Sequence, residues 1–121
     1  KTNYLEDRLA FITRTNTKRL VLTDPENNGR VTATIFWDPT NAQYTLQGDA
    51  LPALEQGQQY QVWAIAEGRP VSIGLIPPGQ EILPLLPLEI SGLEAFGITA
   101  EPMGGSETPT MEALKAFGTI S

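Results

Sequence analysis

The sequence predicts an all-β fold: an antiparallel β-sandwich of the immunoglobulin-like or Greek-key type with a short N-terminal helical segment. Segments in which apolar and polar residues alternate, as they do in half-buried strands, recur along most of the chain. Turn residues interrupt these segments roughly every eight to twelve residues, a spacing typical of sandwiches and small barrels. The length of 121 residues is that of one domain. The alternation does not choose between sandwich and barrel.

The first predicted element is a short helix. Tyr4, Leu5, Leu9 and Ile12 recur at helical spacing, and good helix formers lie between them. The polar residues 15–17 end this pattern. We therefore expect the helix to stop before the first strand begins.

A hairpin is predicted in the first half of the chain. Leu20–Thr23 is a short apolar run, and Asn27–Gly29 supplies the turn that follows it. Arg30–Trp37 alternates and consists almost entirely of β-forming residues. The turn residues Asp38–Asn41 separate it from a second alternating run, Gln43–Gln47, so the two runs are predicted to pair.

A second hairpin and further strands are predicted in the rest of the chain. Gln59–Ala66 is apolar on both faces, which is typical of a central strand, and Val71–Ile76 returns beside it after a turn. Prolines confine Glu81–Ile90 to an edge strand or an extended loop. Ala95–Glu101 is predicted to be a strand, whereas Met111–Ile120 is ambiguous, because residues 111–117 have helical propensity but the segment ends in Gly-Thr-Ile.

Composition excludes several classes of function. Eight Lys and Arg stand against fourteen Asp and Glu, a net charge of −6, which cannot supply the basic patch that nucleic-acid binding requires. The chain has no Cys and no His, so it lacks a thiol nucleophile and the commonest zinc ligands. We expect no cofactor and no metal. No apolar run approaches the length of a transmembrane helix.

The sequence also offers no recognisable set of catalytic residues. The serines have no His to serve as their general base. Asp38, Asp49, Glu67 and Glu101 lie in turns or at strand ends, where carboxylates ordinarily face solvent, so a paired-carboxylate glycosidase site is not favoured. The sequence therefore predicts a protein that is not an enzyme and has no catalytic residues.

Three further patterns are read as structural. The oxygen-rich turn at residues 24–28 lacks the ligand spacing of a calcium loop. Gly104-Gly105-Ser106 lacks the following Lys and helix of a phosphate loop and is better explained by a turn with positive φ. Trp37, Tyr60 and Trp63 lie in the strongest strand patterns, so core packing is favoured over a stacking platform for sugars or peptides.

Three motifs follow one another in the second half of the chain. The first motif lies in residues 51–63 and consists of Leu-Pro-Ala-Leu, a Gly, and Tyr-Gln-Val-Trp. The second motif is Gly-Arg-Pro-Val-Ser-Ile-Gly in residues 68–74. The third motif is formed by residues 98–110. In this order and at this spacing they resemble the C-terminal domain of the anti-sigma-K factor family, with Trp37 fitting an earlier turn. The residues that carry the resemblance are Trp37, Tyr60, Trp63, Gly68, Pro70, Ser72, Gly74, Thr99, Glu101, Pro102, Gly104, Gly105, Ser106, Pro109 and Thr110.

The resemblance implies where this domain lies in the parent protein and what the parent protein does. In this family the C-terminal domain lies on the extracytoplasmic face of the membrane, after a transmembrane helix, and an N-terminal cytoplasmic domain binds the sigma factor. It implies that residues 1–19 are a membrane-proximal linker or helix, that residues 20–121 are the β-sandwich domain, and that the motif residues have structural roles. The implied partners are a sigma factor, bound through the N-terminal domain, and an envelope protease or envelope protein.

The implied function is extracytoplasmic regulation, in which regulated proteolysis of a membrane-anchored anti-sigma factor releases the sigma factor. Because the chain begins at Lys1 rather than Met, we expect it to be part of a longer protein. The alternative is a secreted or surface β-sandwich module that binds a carbohydrate or a peptide. A signal peptide upstream would favour the alternative, and a transmembrane helix upstream would favour the anti-sigma factor.

Overall fold

The fold is all-β with one short helix, as the sequence predicts. The computed structural model describes residues 4–26 and 29–120, and strands make up 49% of the residues described. The predicted turn at Asn27-Asn28 lies outside the described residues. The elements in chain order are α1 (Tyr4–Ile12), β1 (Lys18–Thr23), β2 (Val31–Asp38), β3 (Gln43–Gly48), β4 (Gln58–Ala66), β5 (Arg69–Ile76), β6 (Leu86–Pro87), β7 (Leu93–Pro102), a 3-10 turn at Met111–Ala113, and β8 (Leu114–Thr119).

The strands form one antiparallel sheet that curls into a half-barrel. Their order is β5-β4-β7-β8-β1-β2-β3-β6, so the first and last long strands are neighbours in its middle. Among the described residues, β1 and β8 share a single registered pair, Thr23 opposite Phe117. The Thr32 hydroxyl adds a hydrogen bond of 2.9 Å to the Lys115 carbonyl. This narrow seam divides the sheet into two four-stranded halves, which gives the fold its sandwich-like character.

The core lies between the two halves. Alternation along each strand directs its apolar side chains inward. Trp37 of one half packs on Phe96 of the other, with ring centroids 5.2 Å apart and planes tilted by 59°. Each large apolar side chain that is fully buried contributes about 1.5–3 kcal/mol to folding. The buried cluster includes Leu22, Ala33, Ile35, Trp37, Tyr44 and Leu46 from one half and Tyr60, Val62, Ala64, Phe96, Ile98, Ala100 and Ala116 from the other.

Side chains connect the two ends of the curled sheet. The Tyr44 hydroxyl of β3 donates a hydrogen bond of 2.8 Å to the carbonyl of Ile73 in β5. A Cβ atom at Gly74 would lie 2.5 Å from that hydroxyl oxygen, so only glycine permits this approach. The edge strand β5 therefore rests against β3, although the two strands form no ladder.

Helix α1 packs on the sheet instead of standing apart from it. Phe11 is fully buried, and Arg8 is only 6% exposed. The Arg8 guanidinium donates a 2.5 Å hydrogen bond to the Thr45 hydroxyl, which in turn donates to the Leu83 carbonyl. The Thr17 hydroxyl bonds to the Phe11 carbonyl at 2.7 Å, which holds the chain as it leaves the helix.

Two ambiguous segments are resolved by their tertiary contacts. Residues 114–119 form a strand because they pair with β7, with Ala116 opposite Ile98. The proline-rich stretch after β5 contributes only β6, which pairs with β3, and an isolated bridge between Ile82 and Gln47. In the described part of the chain, no helix has the length and apolar character needed to cross a membrane.

Candidate functional site

A buried polar cluster lies on the outer face of strands β4 and β7. Because β4 sends Tyr60, Val62 and Ala64 into the core, it sends Gln59, Gln61 and Trp63 to the opposite face. The register places Gln59 opposite Glu101 and Gln61 opposite Thr99. Although they face away from the core, all five outward side chains are buried.

The loop between β7 and the 3-10 turn covers this cluster. The Gly104 N–H donates to the Gln59 side-chain oxygen at 2.5 Å, and the Ser106 N–H donates to that of Gln61 at 2.8 Å. The Gln61 amide donates in return to the Ser106 carbonyl and to the Ser72 hydroxyl of β5. We call this segment, residues 102–110, the covering loop. The side-chain amides of the two glutamines bond to its backbone N–H and C=O groups, as the backbone of a neighbouring strand would.

Glu101 is the centre of the cluster and is fully buried. Its Oε1 accepts hydrogen bonds from the hydroxyls of Ser106 at 2.9 Å and Thr110 at 2.8 Å. Its Oε2 accepts from the Thr99 hydroxyl at 2.6 Å and the Thr110 N–H at 2.8 Å. The Thr99 oxygen accepts from the Trp63 indole N–H at 2.9 Å, so one carboxylate connects two strands and the covering loop.

Hydrogen bonding determines the ionisation of Glu101. Burial alone would raise its pKa, but the hydrogen bonds from Thr99, Thr110 and Ser106 together lower the pKa below its ordinary value. The carboxylate is therefore ionised at neutral pH, and all its accepting positions are occupied by protein donors. A carboxylate held in this way cannot accept a proton from a substrate without breaking these hydrogen bonds.

Two glycines allow the covering loop to approach the sheet. Gly104 and Gly105 have φ values of +91° and +84°, which favour glycine over other residues. A Cβ atom at Gly105 would also lie 3.0 Å from the Gln61 side-chain oxygen and from Leu75. The sequence therefore points correctly to a turn with positive φ here.

The structure brings together most of the motif residues. Trp63, Ser72, Thr99, Glu101, Ser106 and Thr110 form side-chain hydrogen bonds in the cluster, and Pro102, Gly104, Gly105 and Pro109 belong to the covering loop. Gln59 and Gln61 are the members that the sequence analysis did not single out. The sequence does contain a pattern that could have indicated them: two glutamines alternate with apolar residues in a strand whose other outward positions are apolar.

The remaining motif residues lie elsewhere and shape the scaffold. Trp37 and Tyr60 are core residues, and Gly74 lies against Tyr44. Gly68 has a φ of +77° and forms the tight turn between β4 and β5 together with Glu67. Pro70 lies in the edge strand β5, where a missing N–H is tolerated.

Comparison with known protein families identifies the family of this chain. The sequence profile described as "Anti-sigma-K factor rskA, C-terminal" matches residues 12–114. The chain belongs to this family. The matched region contains the whole buried polar cluster and nearly all of the sheet, and it begins at the last residue of α1. No curated protein and no solved structure gives a significant match.

Membership of the anti-sigma-K factor family extends to the motif residues of the chain. The RskA C-terminal profile spans all three motifs on which the resemblance rests. Within residues 4–26 and 29–120, no group of three or more Asp and Glu side chains is arranged to hold a metal ion. The family assignment makes this chain the C-terminal domain of an anti-sigma factor.

Proposed function

We propose that this chain is the extracytoplasmic regulatory domain of a membrane-anchored anti-sigma factor, and that its folded state controls regulated proteolysis of the parent protein. Membership of the anti-sigma-K family across residues 12–114 is the observation that carries the proposal. The family implies a sigma factor as the partner of the parent protein. In this proposal the sigma factor binds a separate N-terminal domain, and the present chain does not bind it.

The buried polar cluster suggests how the folded state would limit cleavage. Proteases act on extended segments, so a folded domain is cut mainly from its locally opened state. The covering loop is rich in turns and would be an accessible segment, but Glu101 and the two glutamines hold it on the sheet. Loss of these bonds would increase the population of the open state and, with it, the rate of cleavage.

The test is carried out on the full-length parent protein in its own cells, with a reporter for the cognate sigma factor. Glu101→Ala is expected to raise reporter activity without any external signal and to lower the amount of intact parent protein. Glu107→Ala is the matched control, because Glu107 is exposed in the same loop. The proposal is wrong if Glu101→Ala shortens the life of the domain and leaves the reporter unchanged.

The location is tested separately. Protease added to intact spheroplasts is expected to remove an epitope placed after residue 121 and to leave a cytoplasmic marker intact. Protection of the epitope would contradict the extracytoplasmic assignment. Release of the domain into the medium, with a cleaved signal peptide, would favour the alternative of a secreted binding module.

A further inference from the structure

An open groove lies at the end of the sheet where β4 begins. Its walls are the connection from β3 to β4, the segment of residues 77–81 after β5, and Met103 of the covering loop. It has a volume of about 630 Å³, within the range of pockets that hold ligands in proteins. Most of the lining is apolar, and Leu51, Leu54, Pro77 and Pro78 contribute to it.

Hydrogen bonds fix each wall of the groove. The Tyr60 hydroxyl donates to the Pro52 carbonyl and holds the first wall against the core. The Gly48 N–H donates to the Glu81 carbonyl at 2.6 Å and fixes the second. The Met103 N–H donates to the Gly57 carbonyl at 3.0 Å. A groove that is formed in advance avoids the entropic cost of ordering its walls when a ligand binds.

The charge of the groove is negative and unbalanced. Glu55 and Glu81 are its charged lining residues, and both are exposed. In the part of the chain that the structure describes, no Lys or Arg belongs to the lining. The net charge of −6 for the whole chain reinforces the negative potential.

An exposed methionine completes the apolar surface. Met103 is 57% exposed and lies in the groove lining with apolar residues of the other two walls. Methionine is common at surfaces that bind peptides because its unbranched side chain adapts to different partners. Met111 is similarly exposed, at 61%, but lies outside the groove, so it offers a matched comparison.

We propose that this groove binds an extended peptide segment of a partner protein that carries apolar side chains together with Lys or Arg. The apolar lining accepts the apolar side chains, and Glu55 and Glu81 pair with the cations. The charge complementarity selects a cationic partner over an anionic one. This inference does not depend on the proposed cellular location or on proteolysis, because it concerns the surface of the isolated chain.

The test measures fluorescence anisotropy of three labelled six-residue peptides with the purified 121-residue chain in low salt. The first peptide alternates Leu and Lys, the second alternates Leu and Glu, and the third alternates Ser and Lys. We expect saturable binding of the first peptide, with affinity at least about tenfold greater than for the other two. Binding is expected to weaken as salt is added, since the cations face exposed carboxylates.

Groove variants identify the site. Met103→Asn and the double variant Glu55→Gln with Glu81→Gln are each expected to weaken binding of the Leu-Lys peptide at least about fivefold. The controls are Met111→Asn and the double variant Glu107→Gln with Glu112→Gln, which changes the net charge by the same amount. Unfolding of each variant is followed in urea, so that loss of fold is distinguished from loss of the site.

Three results would overturn the proposal. The first is no saturable binding of the Leu-Lys peptide at concentrations up to about 1 mM. The second is equal affinity for the Leu-Lys and Ser-Lys peptides, which would indicate non-specific attraction by the acidic chain. The third is equal weakening in the groove variants and in their controls, which would place the peptide elsewhere.

Discussion

At the scale of single residues, Glu101 has the greatest influence on local structure, because one carboxylate accepts hydrogen bonds from four donors, one on strand β7 and three on the covering loop. Glu101→Ala would leave the buried Thr99 hydroxyl and the partly buried donors of Ser106 and Thr110 without their acceptor. Each unsatisfied group costs about 1–3 kcal/mol, although water entering the site satisfies some of them. We expect the free energy of unfolding to fall by about 3 kcal/mol or more.

Glu101→Gln is expected to be milder. Its amide oxygen can accept from Thr99 and the Thr110 N–H, while its NH₂ group donates to the hydroxyls of Ser106 and Thr110, which can rotate to accept. The exposed residue Glu107 provides the control, and Glu107→Gln should change stability by less than about 0.5 kcal/mol. Urea unfolding measures the stability of all three variants. Equal effects of Glu101→Ala and Glu107→Gln would contradict the stabilising role of the cluster.

The same carboxylate makes stability depend on pH. Because its folded-state pKa is lowered, Glu101 stabilises the fold fully above its unfolded pKa of about 4.3, and this contribution is lost as the pH falls through the lower, folded value. Asp38 acts in the same direction, since hydrogen bonds from the side chain of Asn41 and from the backbone N–H groups of Asn41 and Thr40 outweigh its desolvation.

We therefore expect the urea midpoint to decrease as the pH falls below about 4.3. The decrease should be smaller in Glu101→Gln, which cannot titrate at that position. Chemical denaturation at a series of pH values tests this. A wild-type midpoint that stays constant as the pH falls would show that neither Glu101 nor Asp38 has a lower pKa in the folded state than in the unfolded state.

At the scale of elements, helix α1 is part of the folded unit. Phe11 is fully buried and Leu9, on the same helix, is 61% exposed. Phe11→Ala is expected to lower the free energy of unfolding by about 3 kcal/mol, as large-to-small changes in cores do. Leu9→Ala should change it by less than about 0.5 kcal/mol.

Urea unfolding followed by far-UV circular dichroism compares the two helix variants. Because the helix has few residues compared with the sheet, a shift of the whole transition in Phe11→Ala would show that helix and sheet unfold together. If Phe11→Ala removed only a small helical signal and left the midpoint unchanged, residues 1–19 would be a separate linker, as the sequence analysis predicts.

The elements that the sequence predicted best are those whose pattern is local. Alternation placed β2 and β3 within a residue, and apolar runs bounded by turn residues placed β4 and β5 within one or two residues. The strand β8 was ambiguous, since its helix-forming residues become a strand only through pairing with β7. No local pattern could reveal that Tyr44 would lie against Gly74, because that contact depends on the curl of the sheet.

The candidate site shows the same division. The glycines of the covering loop were predicted from their conformational freedom alone. The role of Glu101 was not, since a carboxylate at a strand end is usually solvated; here three hydroxyls and an N–H replace the solvent. Its hydrogen-bond partners are two, five and nine residues away in the sequence, and a pattern of strands and turns does not show that they meet at one carboxylate.

At the scale of the whole molecule, the two halves of the sheet are expected to unfold as one cooperative unit, because each supplies half of a shared core. The chain contains two tryptophans, Trp37 in one half and Trp63 in the other. The variants Trp37→Phe and Trp63→Phe each leave one indole as the reporter of one half.

In each variant the fluorescence midpoint in urea should coincide with the midpoint measured by circular dichroism. The comparison is made within a variant, so the stability lost through the substitution does not affect it. Separate midpoints in either variant would mean that the half containing the remaining tryptophan unfolds independently.

The narrow seam between β1 and β8 also has a consequence for the time course of folding. Thr23 and Phe117 are separated by most of the chain, and the sheet is not continuous until they meet. Hairpins β2–β3 and β4–β5 depend on short loops and can form early, whereas the seam needs a long loop to close. During synthesis, β1 therefore has no partner on its β8 side until nearly the whole domain has left the ribosome. Until then the nascent chain exposes the strand edge along which another unfinished copy could pair.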